Sequence, residues 1–452
     1  MKKVSNKILW IFAIGQLGWS MLAGIVTNWF VFFYQPTEEV IAKGHTYFVS
    51  QGPLFLGITI LGLIAFVARI FDAITDPLVA SMSDRAKFKK GRRIPFMKFI
   101  AIPFALMTVL LFCLPNQGVS MTNNILLLVF NLLFYLCMTI YCTPYNALIP
   151  ELGNNQTLRT NVSTFISVTF ILGTTISYLV PNIAQGFEAS FGYTNSIRIT
   201  VAIIAFFAVI FMLIPTFLID EKTYVKEVSS ESRVIESLKK TFSNSEFRKF
   251  VASDVLYFIS ITLFQTGLPF FITVLLGLDA GMTFILFALM TFVSLLFYPV
   301  VNIVSKKTGK KKLVIIAFIW FSVAFMITAF AGSLGISSLI WGVIIAISTA
   351  IPMAVLGILP QAIVADIAEA DEVVTEENRN GMFFAARTFA FKMGQSLALL
   401  IFTSLAIIGT NGFGYRLAAI VACILCVSGA IILSRYNENK TLLTIEDGRA
   451  RR

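Results

Sequence analysis

Apolar runs of about 20 residues recur along the whole chain, and they restrict its possible folds more than any other feature. Each run is long enough to cross a bilayer as a helix. Only 13% of the residues are charged, against about 25% in a typical soluble domain. The runs predict an all-α membrane protein with twelve transmembrane helices, near 8–34, 52–80, 95–114, 122–149, 162–182, 199–219, 250–276, 281–304, 312–332, 337–363, 382–408 and 414–434.

The basic residues lie in alternate loops between these runs. One side receives the segments 85–93, 220–249 and 306–312 and both termini, while the other receives only Lys43, Arg198 and Arg416. This asymmetry follows the positive-inside rule, so we expect a multi-pass protein of the cytoplasmic (plasma) membrane with both termini in the cytoplasm. It also accounts for the net charge of +11 without a nucleic-acid partner.

The longest polar stretch, 220–249, divides the runs six and six. The sequence therefore predicts an N-terminal six-helix bundle at 1–219, a cytoplasmic linker at 220–249, a C-terminal six-helix bundle at 250–435 and a cytoplasmic tail at 436–452. A short amphipathic helix is expected in the linker, with Val234, Leu238 and Phe242 on one side. The loops SDRAKFKKGRR and SKKTGKKK occupy equivalent places in the two halves.

Two aspartates interrupt the second apolar run. Asp72 and Asp76 are four residues apart and share one helix face, with Thr75 beside them. A carboxylate in hydrocarbon costs at least about 3 kcal/mol, so both are expected to point inward and to have partners. Their oxygens suit a hard cation or a shared proton. The alternative is structural, in which both aspartates neutralise Arg69 and hold helices together.

Other candidate polar residues are few. Lys392 lies near the middle of the run 382–408, five residues after Arg387, which favours a pore-facing position over one at the membrane surface. The single histidine, His45, falls in a polar loop and is expected to be exposed. No nucleophile–base pair or metal cluster is found, so we expect neither an enzyme nor a bound cofactor.

Two long segments carry a family resemblance. RIFDAITDPLVASMSDR…GRRIPF, at 69–96, and ADIAEADEVVTEENRNGMFFAARTFAFKMGQSLA, at 365–398, are similar to signatures of the glycoside–pentoside–hexuronide:cation symporters, the melibiose-permease group. YCTPYNALIPEL, at 141–152, is a weaker third match. The twelve spans, their six-and-six division and the basic loops resemble the major facilitator superfamily, which implies its fold of two six-helix bundles.

The resemblance implies roles for particular residues. Asp72 and Asp76 would bind the coupling cation, with Thr75 and Thr139 near them, and Lys392 would approach this site. The resemblance also implies that the gate contacts with the basic loops on the cytoplasmic side come from Asp366, Glu369, Asp371 and Glu372. The basic loop SDRAKFKKGRR adds two gating candidates on its own account, because Asp84 and Arg85 could brace the cytoplasmic ends of neighbouring helices. The alternative is a solvated loop that only sets the orientation of the chain.

The sequence also departs from the melibiose-type pattern. Leu17, Cys142, Ser167 and Gly357 stand where those members carry an acidic residue, an aspartate, an arginine and a tryptophan that hold the sugar. A glycoside would need other rings and amides. Besides Lys392, the substrate-binding candidates are Gln16, Trp19, Asn28, Tyr145, Asn146 and Gln361.

These features predict a secondary symporter that moves a sugar-like or glycoside-like solute with Na⁺ or H⁺ by alternating access. One alternative keeps the transporter and changes the cargo to a lysolipid or another amphipathic solute. Another is a membrane receptor on the same fold that transports nothing. The expected partners are a small-molecule substrate, the coupling cation and the lipid bilayer, and we expect a monomer.

Overall fold

The computed structural model describes residues 4–55, 57–86, 88, 91–153, 156–224, 234–333, 335–377 and 379–451. The predicted linker falls partly outside these residues, at 225–233, and so do the basic residues Lys2, Lys3, Lys89 and Lys90. The chain forms two compact units, Met1–Ser230 with Asp279–Phe284, and Glu231–Leu278 with Ile285–Arg452. The predicted four-part division of the chain stays a prediction.

Unit 1 is a helical bundle with one small hairpin. Helix α1 packs against α6 and α8, α3 packs against α5, and α4 packs against both α5 and α8. Its elements are α1 (Asn6–Tyr34), α2 (Glu38–Ala42), β1 (Pro53–Phe55), β2 (Ile58–Thr59), α3 (Ile60–Arg85), α4 (Ile94–Leu110), α5 (Met121–Leu152), α6 (Gln156–Ser177), α7 (Val180–Phe191), α8 (Tyr193–Leu218) and α9 (Glu221–Tyr224). The two strands pair antiparallel.

Unit 2 is a second helical bundle. Helix α11 packs against α15 and α16, and α13 packs against α14 and α16. Its elements are α10 (Val234–Ser243), α11 (Ser245–Phe270) with a π-helical turn at Phe271–Leu275, α12 (Met282–Thr308), α13 (Lys310–Ala329), α14 (Ser338–Thr375), α15 (Asn380–Ala406), α16 (Phe413–Ser434) and α17 (Glu438–Arg451).

Twelve of these helices correspond to the predicted spans. Within the described residues, ten apolar segments are long enough to cross a membrane. The other two spans are α4, which is a shorter apolar helix, and α3, which carries the charged residues discussed below. Six spans fall in residues 6–218 and six in residues 245–434, in agreement with the predicted division.

Several predicted span limits were wrong, and the largest error is at the end of the tenth span, where the helix continues to Thr375 rather than ending at residue 363. The second span starts at Ile60 rather than at residue 52, because Pro53 and a positive-φ Gly57 place a hairpin before the helix. The fifth span does not end at residue 182. Helix α6 ends at Ser177, and α7 then begins at Val180 with a proline in its first turn, which suits a helix start.

A repeated capping contact links sequence to structure in both units. The carboxylate of Glu221 accepts hydrogen bonds from the backbone N–H groups of Arg92, Arg93 and Ile94 at 2.9–3.0 Å, at the start of α4. Gly91 has φ of +112°, and a side chain there would collide with this carboxylate. An anion at a helix N-terminus satisfies unpaired N–H groups and the helix dipole.

The same arrangement recurs in unit 2. Glu438 accepts from the N–H groups of Lys310 and Lys311 at 2.8 and 3.2 Å, at the start of α13. Gly309, with φ of +84°, precedes these residues as Gly91 precedes α4. The equivalent basic loops noticed in the sequence are therefore equivalent helix starts, each capped by a glutamate from a distant part of its own unit.

The predicted amphipathic linker helix is confirmed as α10. It packs against α15, and Lys240 forms an exposed ion pair with Glu377 at 3.0 Å. Asn244 then caps α11, accepting from Phe247 N–H at 3.0 Å while its amide donates to Asp371 at 3.0 Å. The side chain of Val234 lies outside the described residues.

Candidate functional site

Asp72 and Asp76 lie one turn apart on α3, on the side that packs against α5. The Asp72 side chain is fully buried, and Asp76 is half-buried. The hydroxyl of Thr139, on α5, lies 2.7 Å from Oδ1 of Asp72 and 3.3 Å from Oδ1 of Asp76. The packing of α3 on α5 thus gathers two carboxylates and a buried hydroxyl into one cluster, which we call the α3–α5 oxygen cluster.

Arg69 supplies a positive charge beside this cluster. Its guanidinium lies 3.4 Å from Oδ2 of Asp72 and 4.8 Å from the centre of the Tyr135 ring. Of the structural alternative that the sequence offered, the pairing of Arg69 with Asp72 is therefore present. The Thr75 hydroxyl donates to the backbone carbonyl of Asp72 at 3.0 Å, as buried helical threonines often do, and its place in a cation site stays a prediction.

The α3–α5 oxygen cluster offers carboxylate and hydroxyl oxygens, which are the ligands that hard cations prefer. Among the described residues, no three His, Cys, Asp or Glu side chains are grouped so that they could hold a metal ion. Two carboxylates beside one hydroxyl are also an arrangement in which a single proton can be shared.

Several substrate-binding candidates are used for helix packing inside unit 1. The phenol of Tyr145 is fully buried, stacks on the Phe12 ring and donates to the Phe12 carbonyl at 3.0 Å. The amide of Asn28 is buried and donates to Ser177 at 2.9 Å. Gln16 is also buried. The structure therefore gives Tyr145 and Asn28 partners within the bundle, where the sequence had suggested contacts with a substrate.

The other candidates are more accessible. Asn146 on α5 and Gln361 on α14 are exposed. An amide that faces hydrocarbon is costly, so exposed amides within a span indicate a face lined by water. Lys392 on α15 is half-buried. Trp19 differs from these, because its Nε1 is buried; the Trp19 ring lies 6.0 Å from that of Phe170, and the Nε1 has no acceptor among the described residues.

Most of the predicted gating residues form ion pairs or hydrogen bonds. In unit 1, Asp84 pairs with Arg93 at 2.9 Å, and Arg85 is exposed at the end of α3. In unit 2, Asp366 pairs with Lys310 at 2.5 Å, Asp371 pairs with Arg379 at 2.7 Å, and Glu372 accepts from Asn380 at 3.2 Å. Glu369 lies on the same helix, α14.

The sequence reasoning missed a buried ion pair in unit 2. Asp254 on α11 accepts two hydrogen bonds from Arg387 on α15, at 2.7 and 3.1 Å, and their side chains are 2% and 9% exposed. Each residue is a charge inside an apolar span. Opposite charges in two separate spans are a signal that could have suggested the pair.

His45 was wrongly expected to be exposed. It is buried, with Nε2 2.8 Å from the Phe33 carbonyl and Nδ1 2.8 Å from the Thr194 hydroxyl. The rings of Phe33, Phe48 and Tyr193 surround it. Burial lowers the pKa of His45 below its ordinary value, which favours the neutral imidazole.

The twelve span helices of the described residues, with ionisable side chains buried among them, give the chain the architecture of a polytopic helical membrane protein. A solved D-xylose–proton symporter has a similar fold, with a TM-score of 0.71 and 15% sequence identity over 97% of this chain and 99% of that one. The chain belongs to the family described as MFS/sugar transport protein, whose model matches residues 11–440.

The relatives are named as symporters, and the substrates given in their names differ. An uncharacterized Synechocystis symporter, sll1374, is 28% identical over 37% of this chain and 29% of its own length. The sodium-dependent lysophosphatidylcholine symporter 1 of Xenopus tropicalis is 24% identical over 78% of this chain and 72% of its own. The putative glycoside/cation symporter YagG of Escherichia coli is 25% identical over 48% of this chain and 46% of its own.

Proposed function

We propose that this protein is a cation-coupled secondary symporter that works by alternating access. The observation that carries the proposal is the α3–α5 oxygen cluster, in which Asp72, Asp76 and Thr139 meet inside a membrane bundle. Burying two carboxylates there costs free energy, and ionisable residues inside membrane bundles usually mark an ion or substrate pathway. Binding of the cation would neutralise them and favour one conformational state over another, which couples ion to substrate. The relatives named as symporters support this assignment.

The proposed coupling ion is Na⁺. Asp72 and Asp76 provide carboxylate oxygens and Thr139 a hydroxyl oxygen, which together form a ligand set suited to a hard cation. The name of the Xenopus relative includes sodium dependence, which also supports this choice. No other cofactor is proposed. The competing possibility is a proton shared between the two carboxylates.

The proposed cargo is a glycoside or a related polar solute. The exposed amides of Asn146 and Gln361 and the unpaired Nε1 of Trp19 are hydrogen-bonding groups suited to hydroxyls. Lys392 is proposed to donate hydrogen bonds to the substrate, or to compensate the negative charge of the aspartates after the cation has left. The cargo named for the E. coli relative, a glycoside, supports the proposal.

A lysolipid is the second candidate, and specific observations favour it. The lysophosphatidylcholine symporter aligns over more of this chain than the glycoside/cation symporter does. Leu17, Cys142, Ser167 and Gly357 also replace the sugar-holding residues of melibiose-type carriers, and Gly357 is exposed with only the Tyr298 hydroxyl near its missing side chain. An acyl chain would need no polar partner at these positions.

We further propose that the basic side of the molecule is cytoplasmic, that both termini lie there, and that the protein functions as a monomer. The alternate placement of basic loops supports this orientation. A solute carrier of this design forms no covalent intermediate, so enzyme activity is not proposed.

The decisive experiment is ligand-induced thermal stabilisation of the purified protein. Glycosides, uronides and lysolipids are tested with Na⁺ or with choline at fixed pH. A ligand at 100 times its Kd stabilises the folded state by about 2.7 kcal/mol. We expect Na⁺ to stabilise the wild type and to enhance the effect of a glycoside.

Asp76→Asn should abolish the Na⁺ effect. Asp84→Asn is the matched control, because it removes a carboxylate from the same helix outside the α3–α5 oxygen cluster. Equal stabilisation of Asp76→Asn and wild type by Na⁺ would overturn the cation assignment. A response to lysolipids alone would replace the proposed cargo with the second candidate.

A further inference from the structure

The ends of three helices in unit 2 carry exposed cations. Lys307 lies in the last turn of α12, Lys312 in the first turn of α13, and Arg435 directly after α16. All three are exposed. They lie on one rim, because α12 and α13 are joined at Gly309, and Lys311 on α13 donates to the Ser434 carbonyl on α16 at 2.8 Å.

Two other basic residues on this rim, Lys310 and Lys311, are engaged within the protein, whereas Lys306 is exposed beside Lys307. Lys310 pairs with Asp366 at 2.5 Å, and the side chain of Lys311 bonds to α16. The nearby carboxylates are also occupied, since Asp366 holds Lys310 and Glu438 caps the start of α13. Lys307, Lys312 and Arg435 form no ion pair with any described residue, so the rim presents uncompensated positive charge.

An exposed isoleucine lies one helical turn from each of these cations, toward the membrane. Ile303 precedes Lys307 by four residues, Ile316 follows Lys312 by four, and Ile431 precedes Arg435 by four. Residues four apart share a helix face. The isoleucines are 60%, 47% and 56% exposed, which is expected of side chains that face lipid.

We propose that this rim, defined by Lys307, Lys312 and Arg435 with Ile303, Ile316 and Ile431, is a binding site for an anionic phospholipid. The three cations would hold the phosphate and the anionic headgroup, and the isoleucines would contact the acyl chains. The pairing of a charge with an apolar side chain on each helix matches the two chemical parts of such a lipid. General orientation by positive loops does not require this pairing.

Native mass spectrometry of the full-length protein in detergent tests the proposal. Phosphatidylglycerol is compared with phosphatidylcholine of the same acyl chains. The test variant is Lys307→Gln/Lys312→Gln/Arg435→Gln. The matched control, Lys222→Gln/Lys239→Gln/Arg248→Gln, removes the same charge from exposed positions elsewhere. A second variant, Lys307→Arg/Lys312→Arg, keeps the charge.

The wild type should retain phosphatidylglycerol in preference to phosphatidylcholine. Each basic residue near an anionic lipid surface changes affinity about fivefold, so the triple variant should bind phosphatidylglycerol on the order of 100-fold more weakly. The control triple and the arginine variant should bind it as the wild type does, and millimolar inorganic phosphate should not displace it.

Other results would overturn the proposal. Equal retention of both lipids by the wild type would remove the case for headgroup recognition. If both triple variants lost phosphatidylglycerol binding equally, the net charge of the protein and not this rim would account for the binding. Displacement by inorganic phosphate would identify a free-anion site. A dimer mass for the wild type and a monomer mass for the triple variant would instead identify the rim as an interface between copies of the chain.

Discussion

Replacing Asp72 with Asn should destabilise unit 1, because the substitution removes the carboxylate that the Arg69 guanidinium contacts at 3.4 Å. The two side chains are 0% and 11% exposed, so little water can replace the lost partner. Removing one member of a buried ion pair typically costs about 3–5 kcal/mol. The amide oxygen of Asn can still accept from Thr139, which places the expected loss near the lower end, about 3 kcal/mol.

This loss can be measured as thermal unfolding of the detergent-purified protein without Na⁺. A bundle of this size shifts by about 2–4 °C per kcal/mol, so the midpoint should fall by about 6–12 °C. Adding Arg69→Gln to Asp72→Asn should recover at least half of the shift, because the double variant has no unpaired buried charge.

Glu39→Gln is the matched control in the same unit. It breaks the Lys43–Glu39 ion pair, whose atoms are closer, at 2.8 Å, than those of Arg69 and Asp72. The Lys43 and Glu39 side chains are, however, 36% and 49% exposed. Such a pair contributes about 0.3–0.5 kcal/mol, and its loss should shift the midpoint by less than about 2 °C. The reasoning is refuted if Asp72→Asn unfolds like this control, or if Arg69→Gln brings no recovery.

Three further predictions concern other sites. Asp254→Asn should lower stability by about 3–5 kcal/mol and the double variant with Arg387→Gln by much less, and a double-mutant cycle without coupling would contradict this. Glu221→Gln should speed amide hydrogen exchange in residues 92–97 by weakening the cap on α4, whereas unchanged exchange would show the cap to be dispensable. Because burial lowers the pKa of His45, the unfolded chain takes up the proton first, and stability should fall as pH drops below about 6.5. His45→Gln should flatten that slope, and an unchanged slope would assign it to other groups.

Some features of this protein follow from the sequence alone. Hydrophobic run length and loop charge predict twelve spans and their six-and-six division, because both depend on local composition. Helical spacing likewise predicts that Asp72 and Asp76 share a face and need partners. The start of the second span could not be read this way, since Pro53 and Gly57 redirect the backbone within an otherwise apolar stretch.

The partners of polar side chains were decided by the tertiary structure. Thr139 contacts both aspartates while Thr75 bonds to its own helix, and Tyr145 stacks within the bundle while Asn146, the next residue, is exposed. The buried pair of Asp254 with Arg387 likewise joins residues 133 positions apart. Such contacts depend on the rotation and axial register of each helix against its neighbours. The periodicity of one helix shows which residues share a face, but the packing of several helices determines what that face meets.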